Sequence, residues 1–165
     1  MLVFGIDPGI ALTGYAVVSE ATGEPRLVEG GVIRTRSSWS AGERLQAIYR
    51  GVLSLTEKHR PDAAAVEEVF FNRNVRTALA VGQARGVALL ALADGDVPVY
   101  EYKPSEVKEA VTGYGMAEKH QVQRMVSFLL HLEEILSPDD AADAAAVAIC
   151  HLQRLRFSRA VESRF

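Results

Sequence analysis

LVFGIDPGIALTGYAVVSE, residues Leu2 to Glu20, decides the fold. Leu2 to Ile6 is a short apolar run, and Asp7, Pro8 and Gly9 supply turn chemistry. Leu12 to Ser19, rich in Thr, Tyr and Val, reads as a second strand. Arg26 to Thr35 is a third, joined through Gly23, Glu24 and Pro25, and such short connections favour an antiparallel meander. An acid therefore stands where the first strand stops.

Working outward, Ser40 and Glu43 form a capping box, and Leu45, Ile48, Tyr49, Val52 and Leu53 recur at helical spacing. A helix over Ala41 to Lys58 follows and ends before Pro61. Asp62 to Val66 is a fourth strand, which a helical crossover makes parallel to another strand. A second long helix runs from beyond Asn74 to about Ala93. Val75, Leu79, Gly82, Gly86 and Leu90 form one stripe along it. Glycines four apart in a helix mark a close contact, within the domain or between two subunits. Val97 to Tyr102 is a fifth strand, Pro104 to Val111 a short helix, and Thr112 to Met116 a Gly-rich loop. Helices over Ala117 to Leu132 and Pro138 to Leu155 complete the pattern. The fold class is α/β, a mixed five-stranded sheet with helices on both faces. Residues 1–156 form one domain, and the polar stretch 157–165 reads as a flexible tail.

With 165 residues, 48% hydrophobic, the chain can bury one core. Its apolar runs fall short of the roughly 20 residues of a membrane span, so a cytoplasmic protein is expected. The lone Cys150 sits among apolar residues and reads as a small hydrophobe. His120, His131 and His151 lack zinc spacing. A net charge of −3 argues against indiscriminate nucleic-acid binding, yet Arg73, Arg76 and Arg85 occur with no acid between Phe70 and Arg85.

Four carboxylates carry the functional reading. Asp7 and Glu67 follow apolar strands, and adjacent parallel strands would bring both acids out together at the carboxyl edge where α/β folds build their sites. Asp140 and Asp143, three apart, share one face of the last helix and can point at the other two. Each has a structural explanation when taken alone. Asp7 suits a turn, Glu67 a strand end, and Asp139 and Asp140 the first turn of a helix behind Ser137 and Pro138. Asp143 lies a turn deeper between alanines, where an unpaired charge is costly. Gathered together, four carboxylates raise one another's pKa unless hard divalent cations neutralise them, which is the arrangement of metal-assisted phosphodiester hydrolysis.

These motifs together resemble one family. Gly5 to Gly9 with Thr13, Gly14 and Tyr15; Val66 and Glu67 with Val69 and Phe70; Gly82 to Gly86; Glu118 and Lys119 with Gln121 and Val122; and Asp140 to Ala144 are similar, in order, to motifs of RuvC-type Holliday junction resolvases. The resemblance implies a ribonuclease-H-like fold and a homodimeric, Mg²⁺-dependent endonuclease that resolves four-way junction DNA in recombination and repair, alongside the branch-migration complex RuvA/RuvB. It implies Asp7, Glu67, Asp140 and Asp143 as catalytic, metal-binding acids, with two Mg²⁺ per site and Mn²⁺ as a substitute. Lys119 becomes a candidate for stabilising phosphate charge. Phe70, Arg73, Asn74, Arg76, Lys108 and Lys119 become expected DNA contacts, and Gly82 and Gly86 the expected dimer face. Two residues depart from the family pattern: Glu68, where Gln is common, and Asp139, an extra acid. The alternatives are a phosphotransferase of the actin, Hsp70 and hexokinase type, whose phosphate loop also carries an Asp after a strand, and a non-catalytic junction-binding protein of the same fold.

Overall fold

The computed structural model describes residues 1–68 and 75–162, with the side chains of Val75, Arg76 and Glu162 excepted. Its first three strands are β1 (Leu2–Asp7), β2 (Leu12–Glu20) and β3 (Pro25–Arg34), paired as an antiparallel meander. The crossover helix α1 (Ala41–His59) starts on the expected capping box: Ser40 N donates to Glu43 Oε2 at 2.7 Å and Glu43 N to Ser40 Oγ at 3.3 Å. It returns the chain as β4 (Ala63–Glu67), parallel to β1, and β5 (Val99–Tyr102) pairs parallel to β4. The order across the sheet is β3-β2-β1-β4-β5.

Successive side chains on a strand take opposite faces, so the sheet builds two cores. Phe4, Ile6, Val17, Ala64 and Val66 pack against α1 and α2 (Val75–Asp94) through Ile48, Val52, Ala84, Ala88 and Leu92. Val3, Ala16, Val18 and Ala65 face α3 (Pro104–Thr112), α4 (Lys119–Leu129) and α5 (Asp139–Glu162). The sheet is covered on both faces, as the pattern of elements requires.

Two helices differ from expectation at their ends. The helix α4 begins at Lys119 because Glu118 takes the N-cap position, its N–H donating to Gln121 Oε1 at 2.8 Å. It ends at Leu129, where His131 takes a left-handed φ of 57° and Leu132 N turns back to Ser127 O. In the other direction, α5 continues to Glu162, so 157–162, expected in a flexible tail, are helical. No Gly or Pro interrupts that stretch, and side-chain anchors just before it hold the helix: Arg154 pairs with Glu106 at 2.7 Å, and Arg156 bonds Glu20 and the Gly23 carbonyl.

Candidate active site

Asp7 and Glu67 are the last residues of neighbouring parallel strands, with Ile6 opposite Val66 one step before them. Strand parity aims both the same way: Val3 and Ala65 face α5, so Asp7 and Glu67, at even spacing from them, do too. The helix that meets them lies unusually close. A Cβ on Gly5 would stand 2.0 Å from the Ala144 carbonyl oxygen, and one on Gly14 would stand 2.0 Å from the Asp140 carbonyl oxygen. Gly14 is the cross-strand partner of Asp7. Four residues of helix rise about 6 Å, close to the spacing of two residues along a strand. Two helix carbonyls therefore seat in two glycine gaps at matching intervals, with Ala141, Ala144, Ala145 and Ala148 buried along the seam. This seating brings Asp140 and Asp143 to the strand ends. The role of Gly5 and Gly14 was not drawn from the sequence; its signal there is glycine inside a strand, which marks close backbone approach.

The acids perturb one another. Burial, followed by the charges of Glu67, Asp143 and Asp140, pushes Asp7 up to about 7. Burial and then Asp143 raise Glu67 to about 6, opposed by Lys108. Asp143 also lies above its ordinary value through burial, although Lys119 works the other way. Lys119 Nζ stands 3.2 Å from Asp143 Oδ2 and 3.3 Å from Asp139 Oδ2. Burial disfavours its charge, but bonds to Asp143 and Asp139 outweigh that and hold its pKa above the ordinary lysine value. Asp139 thus faces the lysine on the exposed rim.

Glu67, Asp143, Lys108 and Lys119 line one cavity of about 240 Å³, walled by Val107 and Val122. Among the described residues, no three His, Cys, Asp or Glu side chains already stand close enough to hold an ion. The donor set nevertheless fits hard divalent cations: carboxylate oxygens, two of them held partly protonated near neutral pH by burial and mutual repulsion. Phe70, Arg73 and Asn74 lie outside the described residues, as does the side chain of Arg76. Gly82 and Gly86 are exposed, with nothing within 4 Å of an added Cβ, so they make no close helix contact within the described chain. His151 is buried with its Nδ1 2.7 Å from the Tyr102 hydroxyl, a packing position. Cys150 is buried as a small hydrophobe.

The family model described as crossover junction endodeoxyribonuclease RuvC matches residues 3–151. The chain belongs to the RuvC family. A RuvC from Pelotomaculum thermopropionicum is 53% identical over 159 residues, covering 96% of this chain and 97% of that one. A RuvC from Chloroflexus aggregans is 55% identical over 151 residues, 92% of each chain. The structure of Thermus thermophilus RuvC in complex with Holliday junction substrate aligns with a TM-score of 0.90 and 42% identity, covering 96% of both chains. RuvC proteins are endodeoxyribonucleases, and divalent-metal dependence is a property of the family. The mixed five-stranded sheet expected from the element order is the fold of RuvC, as the ribonuclease-H-like resemblance implied. No described helix is long and apolar enough to cross a membrane.

Proposed function

We propose that this chain resolves four-way DNA junctions by paired, symmetric nicks in recombination and repair, working as a homodimer in the cytoplasm. The observation that carries the reading is the pair of half-buried strand-end acids, Asp7 and Glu67, facing Asp140 and Asp143 with Lys119 alongside. Asp7, Glu67, Asp140 and Asp143 would hold the metal. Two Mg²⁺ ions, with Mn²⁺ as a substitute, would supply the positive charge that lets the acids stay ionised, activates water and steadies the departing 3′ oxygen. The chain's own groups do the rest. As water adds to phosphorus the bond to the 3′ oxygen breaks, the water's proton passes to solvent and the 3′ oxygen leaves as a hydroxyl, while Asp7, Glu67, Asp140 and Asp143, held ionised, would keep the cations at that phosphate. Lys119 and Lys108 line the same cavity and give a phosphate its countercharge. The products are a 5′-phosphate and a 3′-hydroxyl.

Arg73, Asn74 and Arg76 would hold the backbone near the junction centre and Phe70 would stack there. The α2 stripe of Leu79, Gly82, Gly86 and Leu90 suits a second copy: Leu79 is 62% and Leu90 55% exposed. Two-fold symmetry then matches two sites to two strands. The expected collaborator is the RuvA/RuvB branch-migration complex. No observation favours the phosphotransferase reading. Purified Asp7→Asn should bind a synthetic four-way junction yet leave it uncut in Mg²⁺; cleavage by that variant at the wild-type rate would sink the assignment.

A further inference from the structure

The corner where β3 passes into α1 has no part in the site described above, yet it is built onto the same edge of the sheet. Arg34 pairs with Leu12 at the end of β3. Thr35 N donates to the Ala11 carbonyl at 3.0 Å and Thr35 Oγ1 to the Ile10 carbonyl at 2.5 Å. Arg44 Nε donates to Thr35 Oγ1 at 2.9 Å. The corner is thereby bolted to the loop that leaves Asp7.

Charge there is strongly one-sided. Residues 34–50 contain Arg34, Arg36, Arg44 and Arg50 against Glu43 alone, in a chain of net charge −3. Glu43 is occupied by the Ser40 amide and hydroxyl in the helix cap. Arg34, Arg36 and Arg50 are exposed and have no carboxylate partner among the described residues. The Arg36 guanidinium stands 5.9 Å from the centre of the Trp39 ring, a cation–π placement that limits where this long side chain can point. From Trp39 a groove of about 460 Å³ runs along α1 past Gln46 to Arg50. Glu43 to Arg50 is about 10 Å of helix, and one DNA strand carries a charge every 3.4 Å of duplex axis, so the groove matches about three phosphates.

We propose that this corner, with Arg36 over Trp39 and Arg50 at the far end, grips the phosphodiester backbone of a junction arm away from the scissile phosphate. The inference rests on the junction-nuclease reading and adds a second anchor to it. Lys108 and Lys119 lie on the α3 and α4 side of Asp7, toward β4 and β5, whereas the arginines lie on the β3 side. Four strand spacings separate β3 from β5, about 19 Å, or five to six nucleotides of duplex. One phosphate cannot reach both flanks, so the two clusters hold different stretches of DNA. Such contacts position the substrate and carry no sequence information.

Trp39 is the only tryptophan in the chain and therefore its own reporter. Titrating the full-length protein with a four-way junction in Ca²⁺ should change Trp39 emission, and salt should reverse the change. Arg36→Ala with Arg50→Ala should lower the slope of log affinity against log salt by about 2, equivalent to roughly 30-fold weaker binding at 0.15 M salt. Arg36→Lys with Arg50→Lys should keep the slope, and Arg26→Ala, at the opposite end of β3, should leave it unchanged. A wild-type slope in the double alanine variant, or an equal Trp39 response to polyglutamate, overturns the second anchor while leaving the nuclease reading standing. A wild-type protein that ignores junction DNA overturns both.

Discussion

Gly5→Ala puts the seating of α5 on the sheet under direct test. The new methyl would sit 2.0 Å from the Ala144 carbonyl oxygen, 3.0 Å from its carbon and 3.0 Å from the Ala148 Cβ. Ordinary contact begins at 3.4 Å, so strand and helix must part by about 1.4 Å, the gap between 2.0 and 3.4 Å. Both neighbours belong to regular elements with no flexible side-chain tip to yield. Overpacking of that kind costs about 1–3 kcal/mol. The chemistry should suffer more than the fold, because a 1 Å misplacement of reacting groups can cost on the order of 100-fold. Urea unfolding should report the stability loss, and single-turnover cutting of a synthetic junction in saturating Mg²⁺ the rate loss, with junction affinity retained. Gly30→Ala is the control, since its added Cβ meets Leu27 and Leu136 at 3.5–3.7 Å and should be tolerated. A Gly5→Ala protein with wild-type stability and wild-type cutting would refute the idea that this contact places Asp140 and Asp143.

Three further outcomes are expected. The raised pKa of Asp7, about 7 against an ordinary 3.8, and of Glu67, about 6 against 4.5, make the metal-free fold bind more protons than the unfolded chain between those values. Stability without metal should therefore fall as pH rises from about 4 to 7, by at most about 6 kcal/mol and, with solvent screening of these half-buried groups, on the order of 2–4 kcal/mol, and Asp7→Asn should remove much of the fall; a flat thermal-melt profile would contradict this. Lys119→Met should slow cutting by about 100- to 1,000-fold at saturating junction, and unchanged single-turnover rates would remove Lys119 from the chemistry. Gly86→Arg, on the exposed α2 stripe, should leave the fold intact but give monomers in analytical ultracentrifugation, so a dimeric variant would exclude that face.

Much of this architecture was legible because local signals agreed with one another. The meander, the Ser40 and Glu43 cap and the crossover into β4 follow from turn residues and periodicity, and strand parity then aims Asp7 and Glu67. Asp140 and Asp143 were legible as a helical pair, but how near they come to the strands depends on Gly5 and Gly14, whose partners lie more than a hundred residues away. Helix ends were read less well for a related reason. The helix α5 persists past Arg156 through tertiary anchors to Glu106, Glu20 and Gly23, which no local pattern announces. Asp139 carried the same ambiguity, and only Lys119 at 3.3 Å separates it from its neighbour Asp140.

The Lys119 bridge also bears on how a polyanion reaches this surface at all. DNA nearing a cluster of bare carboxylates would meet like charge, and with it a repulsive barrier to productive encounter. An ammonium 3.2 Å from Asp143 and 3.3 Å from Asp139 shields the rim of that cluster before any substrate arrives. Because its pKa lies above that of free lysine, the shield persists throughout the neutral range. Encounter and cutting thus make opposite electrostatic demands on one small region, and a single tethered cation reconciles them.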